Sequence, residues 1–222
     1  MLLRTVRAAL DSLGEQTGGH FGLTVTLPCD PSGLAGLTDP ESVAGTVDGL
    51  NLVTHGFDGP GDGLSGPNAG LPDVARCVDL WSGGGRDASR VNVMLPFYGR
   101  AYAGTSALGT VHGGADVANW PSSGGRPRHY AVAEALRGEG MTSRRDAGSG
   151  TMVAAFDDGS GVVSYDDRRS VCDKAGLVVD SGLGGVSIWD ISGDIEGELF
   201  LPFPTNFLLS PDRLAVLTFS SI

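Results

Sequence analysis

Two kinds of apolar pattern alternate along the chain and predict its secondary structure. Short runs of β-branched and other apolar residues at 21–27, 50–54, 91–97 and 185–191 predict strands. Apolar residues that recur every three or four positions predict helices at 1–14, 40–47, 71–81 and 168–181, with Gly14 as a stop signal and Asp39 as an N-cap. Because the strands alternate with helices, we expect an α/β fold with a parallel sheet.

The segment between the third strand and the fourth is too long for an ordinary connection. It contains a predicted hairpin, with strands at 151–156 and 162–165 around the turn DDGSG, and a short helix at 130–136. We therefore expect a small inserted α+β subdomain at 101–165, while residues 1–100 and 166–197 form the parallel sheet and its helices. The tail, 198–222, has little periodicity, and no element is assigned to it.

The net charge of the chain restricts its partners. With 15 Lys and Arg against 26 Asp and Glu, the 222-residue chain has a formal charge of −11. Such a chain repels the phosphates of nucleic acid and the surface of an anionic membrane, so we expect a neutral ligand. No apolar run reaches the ~18 residues of a membrane span, and the amphipathic start does not have the pattern of a signal peptide.

Ligand-binding residues in parallel βα sheets lie at the carboxyl ends of the strands. The polar and aromatic residues at these positions are Asp30, His55, Asp58, Tyr98, Arg100, Trp189, Asp190 and Asp194. The four histidines lie far apart and no phosphate-binding glycine motif opens a helix, so neither a metal nor another cofactor is predicted. The three cysteines allow at most one disulfide within the chain.

Several motifs occur in an order that resembles family 18 glycoside hydrolases, the chitinase family. PFYGR at 96–100 resembles strand seven of that family, and GGVSIWD at 184–190 with SGD at 192–194 resembles strand eight. LNLVT at 50–54 with GPNA at 66–69 is similar to strand six and its loop, and residues 23–28 are similar to strand five. YDD at 165–167 resembles the end of the family's insertion domain, so the resemblance covers nearly all of residues 1–197.

The resemblance implies a (β/α)8, or TIM, barrel of which the chain holds only strands five to eight. A complete barrel takes about 250 residues. The strand with the family's D-x-x-D-x-D-x-E motif, whose Glu is the general acid, has no counterpart in the sequence. We therefore expect a truncated chitinase-type hydrolase that is inactive as this chain and has no catalytic residue of its own. The alternative is a non-catalytic degenerate barrel that binds chitin or another protein.

The resemblance also implies a substrate and several substrate-binding residues. The substrate class is chitin, a polymer of β-1,4-linked N-acetylglucosamine, and Trp189 corresponds to the tryptophan against which a sugar ring packs. Tyr98 and Arg100 are expected to hydrogen-bond sugar hydroxyls, although Arg100 equally fits an ion pair that braces the subdomain. Asn68 either binds a ligand or shapes a loop turn.

The sequence departs from the family at strand six. Where the family has Met-x-Tyr-Asp, this chain has Val53-Thr54-His55-Gly56. In the family the Tyr helps to hold the substrate's acetamido group and the Asp supports the acid. His55 either donates a hydrogen bond to the ligand or is a structural histidine, and Gly56 offers no side chain. This replacement favours the non-catalytic alternative.

Location and association are expected from the resemblance and from the open barrel. Family members are mostly secreted, so we expect an extracellular location, although the chain shows no signal peptide. An open partial barrel leaves strand edges unpaired, and we expect self-association through those edges.

Overall fold

The computed structural model describes residues 2–29, 40–82, 87–195, 197–199 and 214–217, with residues 40 and 214–217 described by their backbone alone. The α-helices in these ranges are α1 (Leu2–Thr17), α2 (Pro40–Ala44), α3 (Leu71–Ser82), α4 (His129–Arg137) and α5 (Arg168–Asp180). The strands are β1 (Thr24–Pro28), β2 (Gly49–Val53), β3 (Val91–Pro96), β4 (Arg100–Ala103), β5 (Met141–Arg145), β6 (Met152–Phe156), β7 (Gly161–Tyr165), β8 (Gly185–Trp189) and β9 (Leu214–Leu217). Across the same ranges, no helix combines the length and apolar character of a membrane-spanning segment.

Five parallel strands form the larger sheet, in the order β1-β2-β3-β8-β9. The register between β3 and β8 runs from Asn92 beside Gly185 to Pro96 beside Trp189, so both strands end at the same edge of the sheet. Helix α3 connects β2 to β3, and α5 leads into β8. The predicted α/β fold with parallel strands is therefore confirmed.

Helices cover one face of this sheet and form the larger apolar core. Leu52, Val93 and Ile188, from three neighbouring strands, are fully buried against apolar residues of α3 and α5. Side chains alternate between the two faces of a strand, so Asn51 and Asn92 point away from this core. There Asn92 Nδ2 donates a hydrogen bond to Asn51 Oδ1 at 3.0 Å. Burial of each large apolar side chain contributes about 1.5–3 kcal/mol, and this layer holds the strand ends in place.

The segment between β3 and α5 forms a second, antiparallel sheet, in the order β4-β7-β6-β5. The predicted hairpin provides β6 and β7, and its turn contains Gly159 at a φ of 76°, which favours glycine. Helix α4 lies over this sheet, where Val132 shares a separate apolar cluster with Trp120 and Val163. The strands β4 and β5 were not predicted from the sequence.

The first helix is longer than predicted. Helix α1 continues past Gly14 and ends at Thr17, next to Gly18, whose φ of 72° is the left-handed conformation that commonly ends helices. The amide of Gly18 donates to the carbonyl of Gly14 at 2.8 Å. The predicted helix end at Gly14 is therefore wrong by about one helical turn. The predicted N-cap Asp39 lies outside the described residues.

The tail contributes a strand that its sequence did not predict. Strand β9 pairs in parallel with β8, from Leu214 beside Gly185 to Leu217 beside Ile188. The parallel sheet therefore continues one strand beyond β8, the last strand that the sequence predicts. The outer strands of the parallel sheet are β1 and β9.

One disulfide links the parallel sheet to a helix. It joins Cys29, at the end of β1, to Cys77 of α3, with the two Cα atoms 5.2 Å apart. In addition, Trp81 Nε1 donates to the carbonyl of Cys29 at 2.9 Å. These contacts fix the end of β1 against α3.

Candidate functional site

An exposed tryptophan ends strand β8 and forms part of a cleft. Trp189 keeps 40% of its surface exposed, although the strand before it is buried. The cleft has a volume of about 520 Å³, and its lining includes Trp189, Asp190, Tyr98, Trp120, Arg128 and Tyr130. A planar aromatic surface beside hydrogen-bonding groups suits the apolar face and the hydroxyls of a sugar ring.

The opposite wall of the cleft comes from the inserted segment, which runs beside the end of β3. Gly99 N donates to the carbonyl of Pro127 at 2.7 Å, and His129 N donates to the carbonyl of Phe97 at 3.0 Å. The same end of β3 contacts β8, because Phe97 N donates to the carbonyl of Trp189 at 2.9 Å. The extension of β3 therefore lies between the inserted segment and the tryptophan.

A charged pair connects the two walls directly. Arg128 Nη1 donates to both carboxylate oxygens of Asp190, at 2.8 and 2.9 Å, and to Ser192 Oγ at 2.7 Å. Burial raises the pKa of Asp190, but hydrogen bonds from Ser192 and Arg128 outweigh it, so this pKa lies below its usual value. Asp190 is therefore a charged partner of Arg128, and Asp194 accepts bonds from the amides of Ile195 and Leu199.

The end of β2 carries His55, which is joined to Tyr98. The Tyr98 hydroxyl lies 3.0 Å from His55 Nδ1, and the two rings meet edge to face at 86°. Burial, together with the charges of Arg100 and Lys174, lowers the pKa of His55 to about 4. The imidazole is neutral at neutral pH, and its Nδ1 forms a hydrogen bond with the Tyr98 hydroxyl. The buried Nε2 has no hydrogen-bond partner among the described residues.

Arg100 lies next to Gly56 and is 8% exposed. Two features favour glycine at position 56. A Cβ there would approach Arg100 Nη2 to 3.1 Å, and the φ of 70° is left-handed. Within the part of the chain that the structure describes, Arg100 forms no ion pair with a carboxylate. The ion-pair interpretation of Arg100 is therefore not supported there.

Asn68 is 1% exposed, and its polar groups bind the protein itself. Its Nδ2 donates to the carbonyl of Tyr98 at 2.9 Å, and its Oδ1 accepts from Gly56 N at 3.2 Å. Its own amide donates to Ser164 Oγ at 3.1 Å. These bonds correspond to the loop-shaping alternative, because they join the loop after β2 to β7 and to the end of β3.

A buried ion pair behind this region was not predicted from the sequence. Lys174 Nζ contacts both carboxylate oxygens of Asp166, and each residue is almost fully buried. Burial lowers the pKa of Lys174, and the carboxylate of Asp166 partly opposes that shift. The neighbouring Asp167 points elsewhere and caps α5 by accepting from Ser170 N at 2.8 Å. The motif YDD at 165–167 pointed to Asp166, but only the fold shows that its partner is Lys174 on α5.

The structure does not bring all of the predicted site residues together. Trp189 and Tyr98 line the same cleft, His55 lines a different cavity, and Asn68 and Arg100 line neither of the two. Across the described ranges, no three His, Cys, Asp or Glu side chains are arranged to hold a metal ion. Arg128 and Trp120, which also line the cleft, were missed because the chemistry of the inserted segment gave no signal.

The fold and the cleft together define a class. Parallel βα units are the building blocks of (β/α)8 barrels, whose ligands bind at the face where the strands end and where Trp189 lies. The family model "Glycosyl hydrolases family 18" matches residues 1–194, and the chain belongs to that family.

Curated relatives of the chain are chitinases. The chain is 27% identical over 236 residues to chitinase A1 of Niallia circulans, covering 95% of this chain and 34% of that protein. It is 25% identical over 210 residues to chitinase 1 of Aphanocladium album, covering 89% of this chain and 48% of that protein. The chain thus spans about a third to a half of the length of these relatives.

Solved structures of the family share this fold. A family 18 N-acetylglucosaminidase from Paenibacillus barengoltzii matches with a TM-score of 0.78 at 26% identity, covering 91% of this chain and 61% of that chain. A class V chitinase from Nicotiana tobaccum in complex with NAG4 gives a TM-score of 0.82 at 23% identity, covering 90% of this chain and 61% of that chain. The predicted family and the predicted partial TIM barrel are therefore confirmed.

Proposed function

We propose that the chain binds oligosaccharides of β-1,4-linked N-acetylglucosamine in the cleft beside Trp189. The observation that carries this proposal is the 40% exposure of Trp189 at the end of an otherwise buried strand. A buried core tryptophan would not leave its ring open to a cleft, and this ring lies beside hydrogen-bonding groups, as sugar-binding aromatic residues do. The names of the curated relatives support chitin as the source of the sugar.

We further propose that this chain does not hydrolyse the bound sugar by itself. The general-acid motif D-x-x-D-x-D-x-E is absent from the 222 residues. Asp190 does not substitute for it, because a carboxylate that accepts bonds from Arg128 and has a lowered pKa holds no proton to donate. Loss of a general acid slows the proton-transfer step by roughly 10²–10⁴-fold.

A second candidate function is a non-catalytic barrel whose partner is a protein. The replacement at His55 and Gly56 favours it, because the family's Tyr, which helps to hold the acetamido group, and the family's Asp, which supports the acid, are both absent here. Under this alternative, the cleft beside Trp189 would not distinguish N-acetylated sugars from others.

A titration with two oligosaccharides tests these proposals. We expect calorimetry to show binding of tetra-N-acetylchitotetraose and much weaker binding of cellotetraose, which has the same linkage without acetamido groups. No reducing ends should form during overnight incubation. Absence of binding would favour the protein-binding alternative, and turnover of the chitin tetramer would refute the proposed inactivity.

We also propose that the protein acts outside the cell. The Cys29–Cys77 disulfide supports this location, because disulfides persist mainly in oxidising compartments. Alkylation without prior reduction should leave both cysteines unlabelled in a peptide mass spectrum. Labelling of both at full yield would contradict the proposal.

Self-association is proposed through the outer strands of the parallel sheet, β1 and β9, since unpaired strand edges recruit further strands. Sedimentation velocity at several protein concentrations tests it. We expect a species larger than the monomer that increases with concentration, and a monomer throughout would contradict it.

A further inference from the structure

One polar contact ties the inserted segment to the strand that carries Trp189. Arg128 belongs to the inserted segment, and Asp190 directly follows Trp189 in the chain, 62 positions later. The side chain of Arg128 is 22% exposed and that of Asp190 is 7% exposed, so water screens the contact only in part. The pair therefore differs from an ordinary surface ion pair, which contributes little.

Apart from this pair, backbone bonds connect the inserted segment to Trp189 through the extension of β3. The inserted segment is bonded to the extension of β3 through Gly99 and His129, and that extension is bonded to the carbonyl of Trp189 through Phe97 N. These three bonds join backbone groups only and do not fix the side chains that line the cleft. The side chain of Arg128 makes the direct contact between the inserted segment and Asp190.

We propose that Arg128 and Asp190 are positioning residues: together they hold the inserted segment at a fixed distance from Trp189 and so set the affinity of the cleft for a sugar ring. This inference rests on the proposed sugar binding at Trp189. Neither residue is assigned a contact with the sugar. A cleft whose aromatic wall is held in place binds more tightly, because less conformational freedom is lost on binding.

The hydrogen bonds of Arg128 indicate which substitutions keep the contact and which remove it. One nitrogen, Nη1, makes all three contacts. Arg128 therefore does not use the bidentate geometry, with two guanidinium nitrogens, that a lysine could not reproduce. A lysine carries three donors on a single nitrogen, so Arg128→Lys should preserve the contact, whereas Arg128→Met should abolish it. The matched control is Arg137→Met on α4, because Arg137 is exposed and lies outside the cleft.

Binding of tetra-N-acetylchitotetraose to the variants is the first measurement. We expect Arg128→Met to weaken binding about tenfold, and Arg128→Lys and Arg137→Met to remain within about threefold of the wild type. Because the two residues act as one unit, the double variant with Asp190→Asn should bind no more weakly than Arg128→Met alone. Unchanged binding by Arg128→Met, equal losses in the Lys and Met variants, or additive losses in the double variant would each overturn the inference.

Hydrogen exchange is the second measurement, and it needs no ligand. The amides of Phe97, Gly99 and His129 should exchange about tenfold faster in Arg128→Met, and at the wild-type rate in Arg128→Lys and Arg137→Met. Unchanged exchange in Arg128→Met would overturn the inference. If the wild type binds no chitin oligosaccharide, the proposed function fails, and the exchange rates still decide whether the pair holds the segment in place.

Discussion

The ends of β2 and β8 lie at the same edge of one sheet but have opposite characters. At the end of β2, His55 is bonded to Tyr98 at 3.0 Å, and the nearby Asn68 is 1% exposed with its side chain bonded to backbone. At the end of β8, Trp189 is 40% exposed beside a cleft. A sugar ring packs against an exposed aromatic surface, so the exposed ring of Trp189 favours the end of β8 for sugar binding. The bonds made by His55 and Asn68 favour a structural role for these two side chains at the end of β2.

The largest expected effect concerns the buried charges behind the end of β2. Lys174→Met leaves the carboxylate of Asp166 buried without a partner, and it should lower the free energy of unfolding by about 3–5 kcal/mol. Urea unfolding followed by circular dichroism measures this loss. Arg169→Met, an exposed change on the same helix, should stay within about 0.5 kcal/mol of the wild type. A loss in Lys174→Met as small as that of the control would contradict a structural role for the pair.

The next effect is a pH dependence that arises from His55. The unfolded chain binds a proton at His55 near pH 6.5, whereas the folded chain does so only near pH 4. Between these values the unfolded state binds more protons, so stability falls as the pH falls, by on the order of 3 kcal/mol. The unfolding free energy of the wild type minus that of His55→Gln should therefore fall by about this amount from pH 7 to pH 4. A difference that is constant over this range would show that His55 is solvated and available to a ligand.

At the end of β8, the expected effect is on binding. Trp189→Ala should weaken binding of tetra-N-acetylchitotetraose by about 2 kcal/mol, which is roughly 30-fold, because central aromatic residues dominate binding energy. Trp189→Phe keeps a smaller aromatic surface and should lose about half as much. Calorimetric titration of the three proteins gives the order. Equal affinities of wild type and Trp189→Ala would contradict sugar binding at the end of β8.

The smallest effect tests the contact between the end of β2 and the extension of β3. Tyr98→Phe removes the hydroxyl that is hydrogen-bonded to His55 Nδ1 and should lower the free energy of unfolding by about 1 kcal/mol. Thermal unfolding of Tyr98→Phe beside wild type, both at pH 7, measures it. A variant at least as stable as the wild type would mean that the bond between the rings contributes nothing.

The sequence predicted the parts of the fold that have strong local patterns. The strands and helices of the parallel sheet alternate with clear periods, and Trp189 was identified because family motifs surround it. Strand β9 was missed because only its pairing with β8, a contact distant in sequence, defines it. Gly14 was read as a stop because helix ends depend on the conformation of a later residue, Gly18.

The sequence could not predict which site residues are accessible. His55 and Tyr98 are 43 positions apart, and Arg128 and Asp190 are 62 apart, so neither pair has a local signal. Asn68 was left open between a ligand and a loop, because an amide serves both roles equally well. Burial decides between such roles, and burial depends on how the inserted segment packs against the parallel sheet.

The indole signals of the three tryptophans test the central claim most directly, because each reports on a different part of the molecule. On addition of tetra-N-acetylchitotetraose, a proton–nitrogen NMR spectrum should show the largest shift for Trp189 and a smaller shift for Trp120 in the opposite wall. Trp81, which is buried and bonded to the carbonyl of Cys29, should not move. A saturating titration in which the Trp189 signal stays in place would contradict sugar binding at the end of β8.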